Sequence, residues 1–340
     1  MSDPQRIGPD LAKAIESLQR TIKANPRDDL PEPKPTPAKV IQLPFWAEPV
    51  RRAPNTLLRS AFFAAIHSKK RRELGERTQP NRPKEGVIIA AQKGDTIKYA
   101  GDQLNQYDAD VFFEALHRAR GNPLPTECIF TGYNFLKAIG RTTNNLNYED
   151  LDDSLRRLRD GRVEIHWTAP GGKEWHYEGG LIADFVREKN SKLFKITFTK
   201  TICDLFAPAC WTQLEWEERM ALKGKPLAQW LHSFYCSHVP KPFPLSIAYL
   251  HEKTGSPTTL LKHFKEDLKH ALATLENILG WKATWDGDLL TIDRPPSGSQ
   301  ARHLRRARRR DNNLRTKPKR GALTHLGDFL PGFPKPPKNP

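Results

Sequence analysis

The segment Pro226–Trp285 constrains the fold more than any other part of the chain, because it lays down a helix, a short helix, a turn, a long basic helix and a tight hairpin in succession. PLAQWLHSFYCSH carries Leu227, Trp230, Leu231 and Phe234 at helical spacing, one apolar face of an amphipathic helix. PLSIAYLHEKTG predicts a short helix closed by Gly255, where a positive φ suits glycine. Ser256 is then placed to cap the next helix, with Pro257 in its first turn. That helix continues through TTLLKHFKEDLKHALATLENILG, with Leu260, Leu261, Phe264, Leu268, Leu272 and Leu275 as its core stripe. WKATW and LLTID follow as strands around Asp286-Gly287-Asp288, a hairpin turn. Helix-turn-helix followed by a β-hairpin is the winged-helix plan for entering a DNA major groove.

A fainter copy lies upstream. ADVFFEALHRARG is a helix ending at Gly121, NPLPTECIF an extended link, and TGYNFLKAIG a compact helix ending at Gly140. RTTNNLNYEDLDDSLRRLRDG then reads as a polar turn and a helix from about Tyr148 to Arg159, with Leu151, Leu155 and Leu158 on one face. VEIHWTA, EWHYEGGLIADFVRE and KLFKITFTK are expected as strands of a large wing around Gly171-Gly172. Ahead of this copy, TLLRSAFFAAIHSKKRRE predicts a short helix with a basic end, and GVIIAAQKG and TIKYAG two strands around Gln92-Lys93-Gly94-Asp95. TICDLFAPACWTQLEWEERMALKG joins the two units. The expected architecture is α+β: two tandem winged-helix domains with disordered N- and C-terminal extensions. Residues 1–40 form a segment with one helix pattern and a Pro-rich linker, 41–205 the first domain, 206–294 the second, and 295–340 a basic tail.

The net charge of +16 is unevenly spread. Residues 1–50 and 81–294 are each neutral overall, whereas 51–80 carry a net +6 and 295–340 a net +10. Such blocks bind polyanions without sequence preference. The four cysteines lack any C-x-x-C spacing, which argues against a zinc ribbon or redox pair and fits reduced thiols in a cytosolic protein. No apolar run approaches the roughly 20 residues that span a bilayer, and the polar N-terminus is no signal peptide. A P-loop, a His-Glu-x-x-His pair, a G-x-S-x-G elbow and an aspartate cluster for two metals are all missing, so neither a catalytic site nor a cofactor is expected. His263 and His270 are read as facing solvent or DNA phosphate rather than a metal.

The residues suited to DNA fall in two sets. In the second unit, Ser256, Thr258, Thr259, Lys262, His263, Lys265 and Lys269 crowd the first half of the long helix, where hydroxyls, a helix N-terminus and successive lysines suit phosphates. In the first, Arg141, Thr142, Thr143, Asn144, Asn145 and Asn147 make a polar turn, with Arg156 and Arg159 later on the helix. Asn and Arg are the side chains that pair bidentately with adenine and guanine. Glu149, Asp150, Asp152 and Asp153 would repel phosphate there, so a dimer interface competes with DNA for this helix.

Residues 41–294 resemble the TrfA-type plasmid replication initiators, related to tandem winged-helix Rep proteins. The resemblance rests on the order of IQLPFWAEPVRRAPNTLLRSAFF, VIIAAQKGDTIKYAGDQLNQYDADVFFEAL, FTGYNFLKAIGRTTNNLNYEDLDDSLRRLRDGRVEI and LAQWLHSFYCSHVPKPFPLSIAYLHEKTGSPTTLLKHFKEDLKHAL. It implies monomers bound to direct repeats (iterons) in double-stranded origin DNA, inactive dimers, melting of an adjacent A·T-rich region, and recruitment of the host initiator and replicative helicase without nucleotide hydrolysis. The family can also carry a sliding-clamp peptide, Gln-Leu-Ser/Asp-Leu-Phe. Here the matching place reads Gln42-Leu43-Pro44-Phe45, one residue short. Gln42, Leu43 and Phe45 are candidate clamp contacts, while Phe45 and Trp46 could instead pin the start of the domain. Two other readings stay open: a winged-helix repressor on an inverted-repeat operator, and a metal-dependent nickase or primase.

Overall fold

The computed structural model describes residues 42–301 except 44, 76–84, 124–125, 169–170, 189–191, 207–209, 297 and 299, together with Lys13, Arg305 and Arg306. The expected N-terminal helix, the Pro-rich linker and the tail beyond Arg306 lie outside the described residues. Contacts divide the chain into Met1–Val40 and a single compact unit, Ile41–Pro340.

At the centre of that unit is a helix that polar residues would ordinarily keep at the surface. α2 (Gln106–Ala119) is buried on nearly every side, and Val111, Phe112, Phe113, Ala115 and Leu116 fill the core. Its N-terminus is held by a capping box between Asn105 and Asp108. A helix buried all round must pair its charges, and each one on α2 is paired. Asp108 accepts from Arg71, Arg157 and Ser154, at 2.7, 2.9 and 2.7 Å. Glu114 meets Arg51 at 2.7 Å and Arg118 at 2.7 Å, and Asp110 meets Arg219 at 2.6 Å.

These pairs correct the reading of residues 51–80 as a free polyanion-binding block. Arg51 and Arg71 neutralise α2. Arg52 lies over the Trp211 ring at 3.8 Å, and Arg59 donates to Ser237 Oγ at 2.8 Å. Only Lys69, Lys70 and Arg72 of the described basic residues in that stretch are exposed. The expected helix there is also shorter: α1 (Asn55–Leu58) stops after four residues. Ala61 to Ile66 then pass through the interior as irregular chain, their backbone N–H groups reaching Ala90, Leu104 and Thr254 carbonyls. Burial on all sides, rather than on one stripe, replaces the amphipathic helix that the spacing suggested.

The two halves share a topology. In the first, α2 is followed by β5 (Thr126–Thr131), α3 (Gly132–Ala138), α4 (Asn145–Asp160), β8 (Asp184–Arg187) and β9 (Leu193–Phe198), in a sheet of order β5-β9-β8. In the second, α6 (Pro226–Cys236) leads to β11 (Leu245–Ser246), α7 (Ile247–Thr254), α8 (Leu261–Leu279), β12 (Lys282–Asp286) and β13 (Leu289–Asp293), in the order β11-β13-β12. The strands expected together in one large wing are therefore divided between two sheets. β6 (Arg162–Thr168) and β7 (Glu174–Gly179) form a hairpin inserted after α4, and they join β2 (Glu73–Leu74), β3 (Val87–Ile89) and β4 (Thr96–Asp102) in a separate five-stranded sheet. EWHYEGGLIADFVRE breaks into β7 and β8 because Leu181 and Ile182 turn into the core between them.

The halves are also laced together. β1 (Val50–Pro54) pairs antiparallel with β10 (Trp211–Glu215), which runs directly into α5 (Trp216–Ala221). Pro226 opens α6, Gly255 ends α7 at φ 61°, and Asp286↔Leu289 closes the hairpin around Gly287.

Candidate nucleic-acid interface

The long helix begins later than its sequence suggests. Leu260 is the N-cap of α8 and offers no capping side chain, while Ser256 Oγ instead accepts the Thr258 N–H at 3.3 Å within the preceding loop. Thr258 is held from both sides: its carbonyl oxygen lies 2.5 Å from His251 Nε2, and its hydroxyl donates to Asp267 at 3.1 Å. The loop is thus built by these bonds and not by continuation of the helix.

The starting register of α8 changes which leucines are inside. Phe264, Leu268, Leu272 and Leu275 are buried, but Leu260 is 58% and Leu261 46% exposed, so these two are not core. They lie beside Lys262 and His263, both exposed and, among the described residues, without a side-chain hydrogen bond or ion pair. Lys265 is committed to Asp288 at 2.9 Å, across to the β12–β13 turn, and Lys269 to Glu266 at 2.9 Å. Thr259 is exposed.

The first set is more heavily neutralised. Asn144 caps α4, three residues earlier than expected, by accepting the Asn147 N–H at 2.9 Å, and Asn147 Nδ2 donates to Thr142 Oγ1 at 2.8 Å. Asn145 is exposed, and Arg141 lies over the Tyr107 ring at 4.7 Å. Arg156 pairs with Asp153 at 2.9 Å, and Arg159 with Asp160 at 2.6 Å. The turn around Asn144 is therefore self-satisfied, and α4 carries five acidic side chains against three basic ones.

Two neighbouring cavities connect the sets. One, about 460 Å³, is bordered by His67, Lys70, Lys225, Ser256, Thr258 and His270. The other, about 70 Å³, is bordered by Arg141, Lys223, His67 and Tyr107. Both include Ile66, His67, Gly224 and Pro226 in their walls. Cations from the first half (Arg141, Lys70) and the joining turn (Lys223, Lys225) thus share a continuous groove with the hydroxyls of Ser256 and Thr258, with Asp110 and Asp267 also on its walls. Lys223 and Lys225 escaped the sequence reading because they stand at element ends with no helical or strand period to mark them, whereas Lys70 belongs to the basic block already noted in residues 51–80.

The shortened clamp motif divides. Leu43 is fully buried and would have to leave the core to serve as an anchor, whereas Phe45 is 72% exposed with Arg120 over its ring at 5.5 Å. Gln42 is exposed and bridges to Pro123. Trp46 and Leu43 pin the start of the domain; Phe45 does not.

The family model for the TrfA protein matches residues 6–294. The chain belongs to the TrfA family. The plasmid replication initiator protein TrfA of Escherichia coli is 25% identical to it over 274 residues, which span 79% of this chain and 67% of that protein. Two crystal structures of RctB domains 2 and 3 are 12% identical, cover 65% of this chain and 93% and 94% of theirs, and superpose with TM-scores of 0.38 and 0.42.

Among the described residues, two clusters hold metal-ligating atoms within 4.8 Å of one another: Glu164, His166 and His176 on β6 and β7, and Glu218, His232 and Cys236 on α5 and α6. In the first, the imidazoles of His166 and His176 stack at 4.2 Å. Among the described residues no helix is long and apolar enough to cross a membrane.

Proposed function

We propose that this TrfA-family chain is a plasmid replication initiator that binds duplex DNA at direct repeats, using its two halves as tandem winged helices. The observation that carries the reading is the continuous groove of Arg141, Lys223, Lys225 and Lys70, which runs along the Ser256–Thr258 loop and the side of α8 that carries His270 and Thr274. It joins the halves on one face, which suits a monomer reading two segments of one repeat. Lys262 and His263 are the side chains free to approach phosphates or base edges, and the Asp288-anchored wing sits beside them. Phosphate contacts supply most of the affinity, and α8 supplies most of the readout.

In this reading the protein is not an enzyme and works in the bacterial cytoplasm. It melts the origin, recruits the host initiator and replicative helicase, and exchanges between an active monomer and an inactive dimer. Residues 41–205 and 206–294 serve as the two DNA-binding domains, and the net +10 of residues 295–340 adds non-specific affinity.

Binding of the full chain to synthetic duplexes carrying two copies of one repeat tests this. Direct-repeat DNA should bind one protomer per repeat and more tightly than the same repeats inverted. Preference for the inverted arrangement by a stable dimer would replace the initiator reading with a repressor.

A further inference from the structure

We propose that Glu218, His232 and Cys236 form a site for one borderline divalent cation, zinc by its donor set, at the junction of α5, α6 and the second wing. The three donors are a carboxylate, an imidazole and a thiol, the set that Zn²⁺ takes when deprotonated. His232 and Cys236 are four residues apart on α6 and so lie on one helical face, and Glu218 comes to them from α5.

Three observations point to a ligand. First, all three donor atoms already lie within 4.8 Å of one another, close enough for small side-chain rotations to bring them onto one ion. Second, His232 is wholly buried with one ring nitrogen, Nε2, 3.1 Å from Glu218, while the other, Nδ1, makes no well-formed hydrogen bond among the described residues although Cys236 lies beside the ring. A buried polar atom left without a well-formed partner calls for an explanation. Third, Glu218 and Cys236 border a cavity of about 550 Å³ that also meets Trp281 and Arg294, giving an entry path and room for an exogenous fourth ligand.

The charges close. A thiolate and a carboxylate balance a dication, and the imidazole binds as the neutral base. Arg294, the cation on the cavity wall, is held by the carbonyls of Tyr235 and His238 at 3.0 and 2.8 Å and by Gln300 Oε1 at 2.9 Å, close enough to Cys236 and Glu218 to feel both charges. Trp281, immediately before β12, stacks on His232 at 5.7 Å. An ion here therefore ties α5 and α6 to the root of the wing that stands beside α8, and occupancy stabilises the second half of the molecule.

The test uses chelator-treated full-length protein titrated with Co²⁺, with cysteine-to-serine variants as controls. A near-ultraviolet thiolate-to-cobalt charge-transfer band should appear and saturate at one equivalent, and Zn²⁺ should abolish it while raising Tm. Cys236→Ser should lose the band and Cys203→Ser should keep it. The Glu164–His166–His176 cluster has no sulfur and cannot produce it. Should Cys236→Ser fail to fold by circular dichroism, Glu218→Gln decides, because that carboxylate is 39% exposed and tolerates change. Glu218→Gln should weaken Co²⁺ binding about tenfold or more while keeping the band. Absence of the band in the wild-type chain, its persistence in Cys236→Ser, or unchanged Co²⁺ affinity in Glu218→Gln would overturn the site.

Discussion

Arg219 on α5 and Asp110 on α2 meet at 2.6 Å, both buried, and they join the two halves of the molecule through one ion pair. The guanidinium is saturated: it also donates to Ser233 Oγ at 2.5 Å and Gln106 Oε1 at 3.1 Å, and it lies over Phe113. Asp110 accepts a further bond from Gln229 on α6 at 3.1 Å. Three helices thus converge on a pair that water does not reach.

Removing one partner leaves the other buried and unpaired. Arg219→Ala or Asp110→Ala should each cost about 3–5 kcal/mol, lowering Tm by on the order of 10 °C. Arg219→Met with Asp110→Leu should recover much of that loss, since the desolvation cost goes with the charges. Thermal unfolding of the three variants checks it, and single-variant losses below about 1 kcal/mol would show that the pair is solvated.

Lys262 and Lys265 differ in what they are free to do. Lys262→Ala should weaken DNA binding and reduce the salt slope by about one phosphate contact. Lys265 is held by Asp288, and its removal should change the slope by clearly less. Anisotropy titrations across a salt series distinguish the two. An unaltered slope for Lys262→Ala would take α8 out of the interface.

The register of α8 makes a stability prediction. Leu268→Ala should cost about 2–5 kcal/mol as a core truncation, whereas Leu261→Ala, at 46% exposure, should stay within about 0.5 kcal/mol. Chemical denaturation would contradict the late helix start if the two losses were equal.

Acid should destabilise the protein through His117 and His238. Burial pushes both down to about 4, with Arg51 beside His117 and Arg59 beside His238 opposing protonation further. Trp46 Nε1 donates to His117 Nδ1 at 2.9 Å, so protonating that nitrogen would break the bond. Because the folded values lie below the ordinary 6.5, the unfolded chain binds more protons in between. Stability is therefore full above about pH 6.5 and falls as pH drops toward about 4. Glu48, held down to about 2 chiefly by its bond to His117, stays ionised throughout that window. His117→Gln should flatten the pH dependence of Tm between those limits, and an unchanged profile would contradict the assignment.

The sequence made the second unit legible because its signals are local: Pro226 opens a helix, Gly255 ends one, and Asp286-Gly287-Asp288 turns a hairpin. What escaped depended on contacts distant in sequence. Ser256 looks like a cap, but Thr258 is drawn to His251 and Asp267 and the helix starts beyond it. The arginines of residues 51–80 look like a free basic block, yet acids on α2 and the end of α6 consume them. The groove lysines carry no period at all, and only the apposition of the halves brings Lys70, Lys223 and Lys225 alongside Ser256.

Whether this face binds origin DNA as an initiator is decided by a DNase footprint of the purified chain across the DNA flanking its own gene. Several direct repeats spaced by about two helical turns should be protected, and the protection should be lost on Lys262→Ala with Lys225→Ala. One protected inverted repeat over a promoter, or uniform protection that salt removes, would contradict the initiator reading.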